Sequence, residues 1–195
     1  MMDQDFIRDK VPMTKMEVRA VTLAYLQLEA GHTFLDIGAG TGSITVEAAR
    51  NNRQLKVFAI EKNPLALELI DLNLKKYGLK EVALISGVAP LDTGQVPACD
   101  RVFIGGTGGH MKEIIDWLTK EILTDQAVLV MNVITIENLN EGMKALYDYG
   151  FVEVEGSSLS SARLSLLGDL HYFRPENPCY ILKGVWRKKC QNSLE

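Results

Sequence analysis

The stretch LDIGAGTG, residues 35–42, follows the apolar run TFLDI and leads into SITVEAARN, so three glycines fall at one strand-to-helix turn. Glycine accepts positive φ and lets backbone N–H groups approach a ligand, while the helix behind it presents the positive end of its dipole. A turn of this kind belongs to folds that wind strands and helices alternately about a parallel sheet. The chain carries that alternation. KVFAI (56–60), VALIS (82–86), RVFIGG (101–106) and AVLVMNVI (127–134) have strand character. GSITVEAARN (42–51), KNPLALELIDLNLKKYG (62–78), HMKEIIDWLTKEI (110–122) and ENLNEGMKALYDYG (137–150) have helical spacing.

Thr14 with Glu17 three residues later forms a capping-box pattern ahead of Val18, Val21, Tyr25 and Leu28, which predicts a helix beginning near Thr14. Asn63 as cap, Pro64 at the first helical position and Gly78 as stop bound the clearest helix. The tail changes character: FVEVEGSSLS (151–160) and PCYILKGVWRK (178–188) read as strands joined by a polar stretch without a helix. An antiparallel final hairpin closing a seven-stranded, mostly parallel sheet follows. No linker or repeat interrupts residues 1–195, so a single domain is expected.

Composition narrows the partners. The formal charge is −4, with 21 Lys and Arg spread among 25 Asp and Glu, which argues against a dedicated nucleic-acid binder. Cys99, Cys179 and Cys190 lack metal-ligand spacing and read as thiols of a reducing cytoplasm, with no metal expected. Trp117 and Trp186 are expected to pack. No apolar run approaches the roughly 18–20 residues of a membrane span, so no membrane partner is expected.

The chemistry of the first glycine turn can be narrowed by elimination. No Gly-Lys-Ser/Thr follows it, which excludes a Walker loop, and Gly38, Gly40 and Gly42 give GxGxG where a dinucleotide loop has GxGxxG. Asp36 suits an ammonium group, and Glu61, at the end of the second strand, suits the two hydroxyls of a ribose. Together they describe a nucleoside joined to an amino acid, S-adenosylmethionine (SAM). The sequence resembles the class I SAM-dependent methyltransferases, which implies a Rossmann-like fold. The resemblance places Gly38, Ala39, Gly40, Thr41 and Gly42 beside the methionyl part, Glu61 on the ribose and the SGVAP turn, with Ala89, against the adenine. Many members carry Asp where this chain has Val88.

FIGGTGGH, residues 103–110, is a second glycine loop, at the end of the fourth strand, where methyltransferases face their nucleophile. It lacks the proline pair and aromatic platform of enzymes that methylate flipped bases. PMTKMEVRA (12–20), LDIGAGTGSITVEAA (35–49), FIGGTGGHMKEII (103–115) and NPCYIL (177–182) together resemble the decarboxylating C-15 methyltransferases of cobalamin biosynthesis. That resemblance implies a cobalt-precorrin tetrapyrrole as substrate, a homotetramer, and Thr14 against the bound cofactor. Gly105, Gly106, Thr107, Gly108, Gly109 and Asn132 become candidates for the substrate side. Lys15, Arg19, Thr135, Glu137, Arg163, His171 and Arg174 are candidates for a polar rim, and His110 is read as a helix-capping or surface residue. No catalytic acid or base is assigned. A tRNA or protein-isoaspartate methyltransferase and a non-catalytic SAM-binding subunit remain open alternatives.

Overall fold

The computed structural model describes residues 1–92 and 94–188. Five parallel strands form the centre of one sheet: β1 (Thr33–Ile37), β2 (Lys56–Glu61), β3 (Val82–Ser86), β4 (Cys99–Ile104) and β5 (Leu123–Val133). β6 (Val152–Leu159) and β9 (Cys179–Trp186) complete it as an antiparallel pair, in the order β3-β2-β1-β4-β5-β9-β6. The fold is therefore the expected Rossmann-like one. The chain runs outward from β1 to β3, then returns to lay β4 on the other side of β1. Such a reversal opens a crevice at the carboxyl ends of the two strands. Both glycine loops leave from those ends.

Alternation within the strands feeds two cores. Leu35, Ile37, Val102 and Ile104 face one side, where α4 (Met111–Trp117) and α5 (Ile136–Asp148) bring Met111, Ile114, Ile115 and Leu146. Phe34, Val57, Phe103 and Val130 face the other, against Leu26 of α1 (Met16–Leu26), Ile44 of α2 (Ser43–Asn51) and Ile70 of α3 (Pro64–Lys76). The α3 signals hold in detail: the Asn63 side chain accepts from Leu65 N at 3.0 Å, and Gly78 takes φ +60° just past the end. Trp117 is buried, and the Trp186 ring packs 5.3 Å from that of Phe151.

Four expectations are corrected. Thr14 does not cap α1; Lys15 holds the cap position without a side-chain bond, and the Thr14 carbonyl instead accepts from Arg19. Its capping-box partner Glu17 is drawn away to Arg163, 2.7 Å distant. The helix expected over 110–122 is α4 continued by a π-turn at Leu118–Ile122, and β5 starts earlier than expected, at Leu123. The polar stretch after β6 is a separate two-stranded sheet, β7 (Ala162–Leu167) with β8 (Leu170–Pro175). Finally, Arg19 is not a rim residue but fully buried.

The Arg19 guanidinium bonds Glu47 of α2 at 2.5 Å, Asp3 at 3.2 Å and the carbonyls of Thr14 and Met1. Burial pushes the Asp3 carboxyl upward, but hydrogen bonds and charge from Arg163 and Arg19 outweigh it and hold the group below its ordinary range. This cluster fastens the first residues of the chain over α1 and α2. Two bonds between Asn73 and the backbone of Ile7 fasten the next stretch to α3. Cys99 and Cys179 are buried free thiols, and burial pushes Cys99 up to about 12 and Cys179 to about 11. Cys190 lies outside the described residues. Among them, no helix is long and apolar enough to cross a membrane.

Candidate functional site

The crevice opens into a cavity of about 990 Å³. Its walls come from the first glycine loop (Gly38, Ala39, Gly40, Thr41), from Glu61 and Lys62 after β2, and from the second glycine loop (Gly105 to Gly109). The fastened N-terminal segment adds Val11 to Lys15, β5 adds Asn132 and Val133, and the far side is closed by Ser161 and Arg174 to Asn177. That volume lies at the upper end of the usual range for small-molecule sites.

The two glycine loops touch. A Cβ on Gly38, which sits at φ +71°, would lie 2.6 Å from the Gly106 carbonyl oxygen and 2.9 Å from its nitrogen. Gly105 stands against the Gly38 carbonyl in return. Gly106 and Gly109 themselves have nothing near the position of a Cβ and leave that side of the cavity open. The second loop is thus divided: one part packs, the other clears space.

Glu61 organises the opposite wall. One carboxylate oxygen accepts from Lys62 N and Asn63 N, both at 2.8 Å, and the other from Gly40 N at 2.8 Å. A side chain anchored by three backbone donors keeps a fixed orientation, with lone pairs left for a ligand. The Thr41 hydroxyl in the first loop is buried and has no hydrogen-bond partner among the described residues. A smaller cavity of about 180 Å³ continues past Glu61 and is lined by Gly87, Val88 and Ala89, the turn expected to face an adenine.

A family model for the precorrin methyltransferase domain matches residues 4–185. The chain belongs to the precorrin methyltransferase family. It is 40% identical over 184 residues, 93% of this chain and 94% of the relative, to the cobalt-precorrin-6B C(15)-methyltransferase (decarboxylating) of Salmonella typhi. The crystal structure of precorrin-6Y C5,15-methyltransferase from Geobacter metallireducens superposes with a TM-score of 0.89 at 36% identity, covering 95% of this chain and 96% of that one. Precorrin 8W decarboxylase from Methanobacterium thermoautotrophicum gives 0.86 at 29% identity, with 94% and 98% coverage.

In this precorrin methyltransferase, the sequence-based candidates divide by position. Thr14, Gly38, Ala39, Gly40, Thr41, Glu61, Asn132 and the loop from Gly105 to Gly109 meet at the larger cavity, and Ala89 lies at the smaller one. Asn132 is oriented by Thr22, whose hydroxyl donates to Val18 O and accepts from the Asn132 amide at 2.9 Å. Asp36 is a correction: it is fully buried behind the wall, bonded to the Thr45 hydroxyl of α2, and does not reach the cavity. Burial, with a smaller contribution from the charge of Glu61, pushes its pKa up to about 7 against the Thr45 bond. Gly42 is the second correction, because a Cβ there would meet Ile70, 3.0 Å away, and not the cavity.

The rim of the precorrin methyltransferase is smaller than expected. Lys15 and Arg174 line it. Arg163 is tied to Asp3 and Glu17, each at 2.7 Å, Thr135 caps α5, and Glu137, His110 and His171 stand outside the lining. Lys62 and Asn138 are lining residues that the sequence did not single out. A signal for Lys62 existed, since it follows Glu61 at the end of a strand, where parallel sheets place their sites.

Proposed function

We propose that this enzyme transfers the methyl group of SAM to C-15 of cobalt-precorrin-6B and removes CO2 from an acetate side chain, giving cobalt-precorrin-7 in anaerobic cobalamin biosynthesis. The observation that carries the reading is that both glycine loops open on one cavity of about 990 Å³, in a chain that belongs to the precorrin methyltransferases. Two ligands, a cofactor and a broad substrate, then share one space. The residues present fit SAM. Gly40, at φ +57°, keeps a Cβ out of a wall formed with the Pro12 carbonyl, and the Thr41 hydroxyl is an unused polar atom beside it.

SAM supplies a sulfonium methyl that is already electrophilic. Glu61 would accept the ribose hydroxyls, the backbone of residues 38–41 would hold the methionyl part, and Val88 with Ala89 would border the adenine. Gly106 and Gly109 leave room for the macrocycle edge. Asn132, fixed by Thr22, offers it a polar contact. Holding the reacting carbon in line with the methyl group supplies much of the rate. Loss of CO2 leaves an electron pair that the conjugated macrocycle receives, so the protein's part is to position the carboxylate and exclude water.

Mass spectrometry of the purified protein incubated with SAM and cobalt-precorrin-6B tests this: the product gains one methyl group and loses one CO2. Methyl transfer to tRNA or to an isoaspartyl peptide, with the precorrin unchanged, would overturn it.

The same reading includes one domain over residues 1–195, a cytoplasmic location and a homotetramer. The buried free thiols Cys99 and Cys179 support a reducing compartment. The β7–β8 hairpin supports assembly: Leu164, Leu166 and Phe173 are each more than 60% exposed and lie on one face of it. Light scattering should report a tetramer, and Leu166→Lys should reduce it to smaller species. A wild-type monomer would remove the assembly reading.

A further inference from the structure

We propose that Arg174 and Lys62 are the specificity-determining anchors for the substrate, each binding a peripheral carboxylate at opposite edges of the cavity. The proposal deepens the function above and rests on its reading of the substrate as a polycarboxylated ring.

The first observation is a cross-strand pair. In the hairpin, Arg163 of β7 is the register partner of Arg174 of β8, so two guanidinium groups share one face. Like charges directly opposite destabilise a strand pair unless each is offset. Arg163 is offset by Asp3 and Glu17. Arg174 has no ion pair among the described residues, is exposed, and lines the cavity. The hairpin therefore holds a second positive charge that pairs with no carboxylate among the described residues.

Lys62 repeats the arrangement on the other side. Its ammonium stands 3.4 Å from where a Cβ on Gly108 would lie, between the open positions Gly106 and Gly109 of the second glycine loop, again without an ion pair among the described residues. The charged lining residues are Lys15, Lys62 and Arg174 against Glu61 and Glu176, a positive balance in a chain whose formal charge is −4. Glu61 is already engaged by three backbone donors.

The separation suits a broad ligand. Lys62 follows β2, whereas Arg174 lies in β8 of the separate hairpin, beside the connection into β9, so the two cations enter the cavity from different walls. A flat ring with acids around its edge can engage both. Ile134, 65% exposed in the lining between them, offers the ring an apolar contact. Arg presents a planar fork matched to a carboxylate, and Lys a point charge.

The test is absorbance titration of cobalt-precorrin-6B into wild type, Arg174→Met, Lys62→Met and a control, Lys144→Met, whose ammonium pairs with Asp148 on α5. Each anchor variant should weaken binding roughly tenfold to a hundredfold, the size of a charge-assisted bond. The control should match wild type. SAM affinity by calorimetry should be retained in all, and KM for the precorrin should rise more than kcat falls. Arg174→Lys should recover part of the loss. Salt should weaken wild type more than either variant. Wild-type binding by both anchor variants, or no binding by the wild type, overturns the proposal. Binding that depends on Arg174 and Lys62 without methyl gain or CO2 loss would keep the anchors and reject the function.

Discussion

Gly38 and Gly106 lie backbone against backbone, so that a Cβ on the first would stand 2.6 Å from the carbonyl oxygen of the second. The loop expected to hold the cofactor and the loop expected to face the substrate are thereby one wall. Their glycines have different reasons. Gly38 needs both its φ of +71° and the absence of a side chain, whereas Gly106 needs neither for packing.

Gly38→Ala should consequently destabilise the fold by about 1–3 kcal/mol or more, through strain and a contact that backbone atoms cannot relieve. Gly106→Ala should leave stability within about 0.5 kcal/mol and lower precorrin turnover instead. Urea unfolding of the two variants checks the contrast, and equal losses of stability would contradict it.

Removing the Glu61 carboxylate takes away the proposed ribose acceptor and leaves the N–H groups of Gly40, Lys62 and Asn63 without their bonds. Glu61→Ala should weaken SAM binding at least roughly tenfold, about 1.4 kcal/mol, by calorimetry. Gly40→Val should abolish it, because the residue sits at φ +57° in the cavity wall.

Asp36 should make stability depend on pH. Its pKa is raised to about 7 in the folded protein from 3.8, so between these values the folded state binds more protons than the unfolded state. Stability contributed by Asp36 therefore falls as pH rises from about 4 to about 7 and stays low above. Asp36→Asn, which keeps an acceptor for Thr45, should unfold at higher urea than wild type at pH 8 and lose the advantage at pH 4. An advantage independent of pH would refute this origin.

Arg19→Met should cost about 2–3 kcal/mol, because Asp3 and Glu47 lose the buried cation they share and keep only Arg163 and the Met1 ammonium, and the carbonyls of Thr14 and Met1 lose their donor. Thermal unfolding measures it. Loss of the N-terminal fastening should also weaken SAM binding, since Val11 to Lys15 form part of the cavity wall.

The architecture was legible because it is written in local signals. Glycines after TFLDI, Asn63-Pro64 before a helical repeat and apolar runs of strand length each act over a few residues, and β1 to β5 follow them. What escaped depends on partners far along the chain. Arg19 reads as a solvated helix charge until Glu47 arrives from 28 residues away. Thr14 and Glu17 make a convincing cap until Arg163, 146 residues beyond Glu17, takes the carboxylate. Asp36 reads as a ligand for an ammonium group, but alternation turns it toward α2. The β7–β8 hairpin did carry a local signal, Gly168-Asp169 between two alternating runs, with Gly168 at φ +59°.

That hairpin is a ribbon with two unlike sides. Leu164, Leu166, Phe173 and His171 share one, and Arg163, Ser165, Tyr172 and Arg174 the other, with Leu167 and Leu170 on that second side beside the turn. Because side chains alternate strictly along a strand, a single residue inserted or deleted within one arm would turn the rest of that arm over, setting its apolar side chains on the face of the arginines. Changes of even length preserve both. The ribbon is thus under a parity rule: natural variation in the length of each arm should come in steps of two, while the turn at Gly168 is free of that rule.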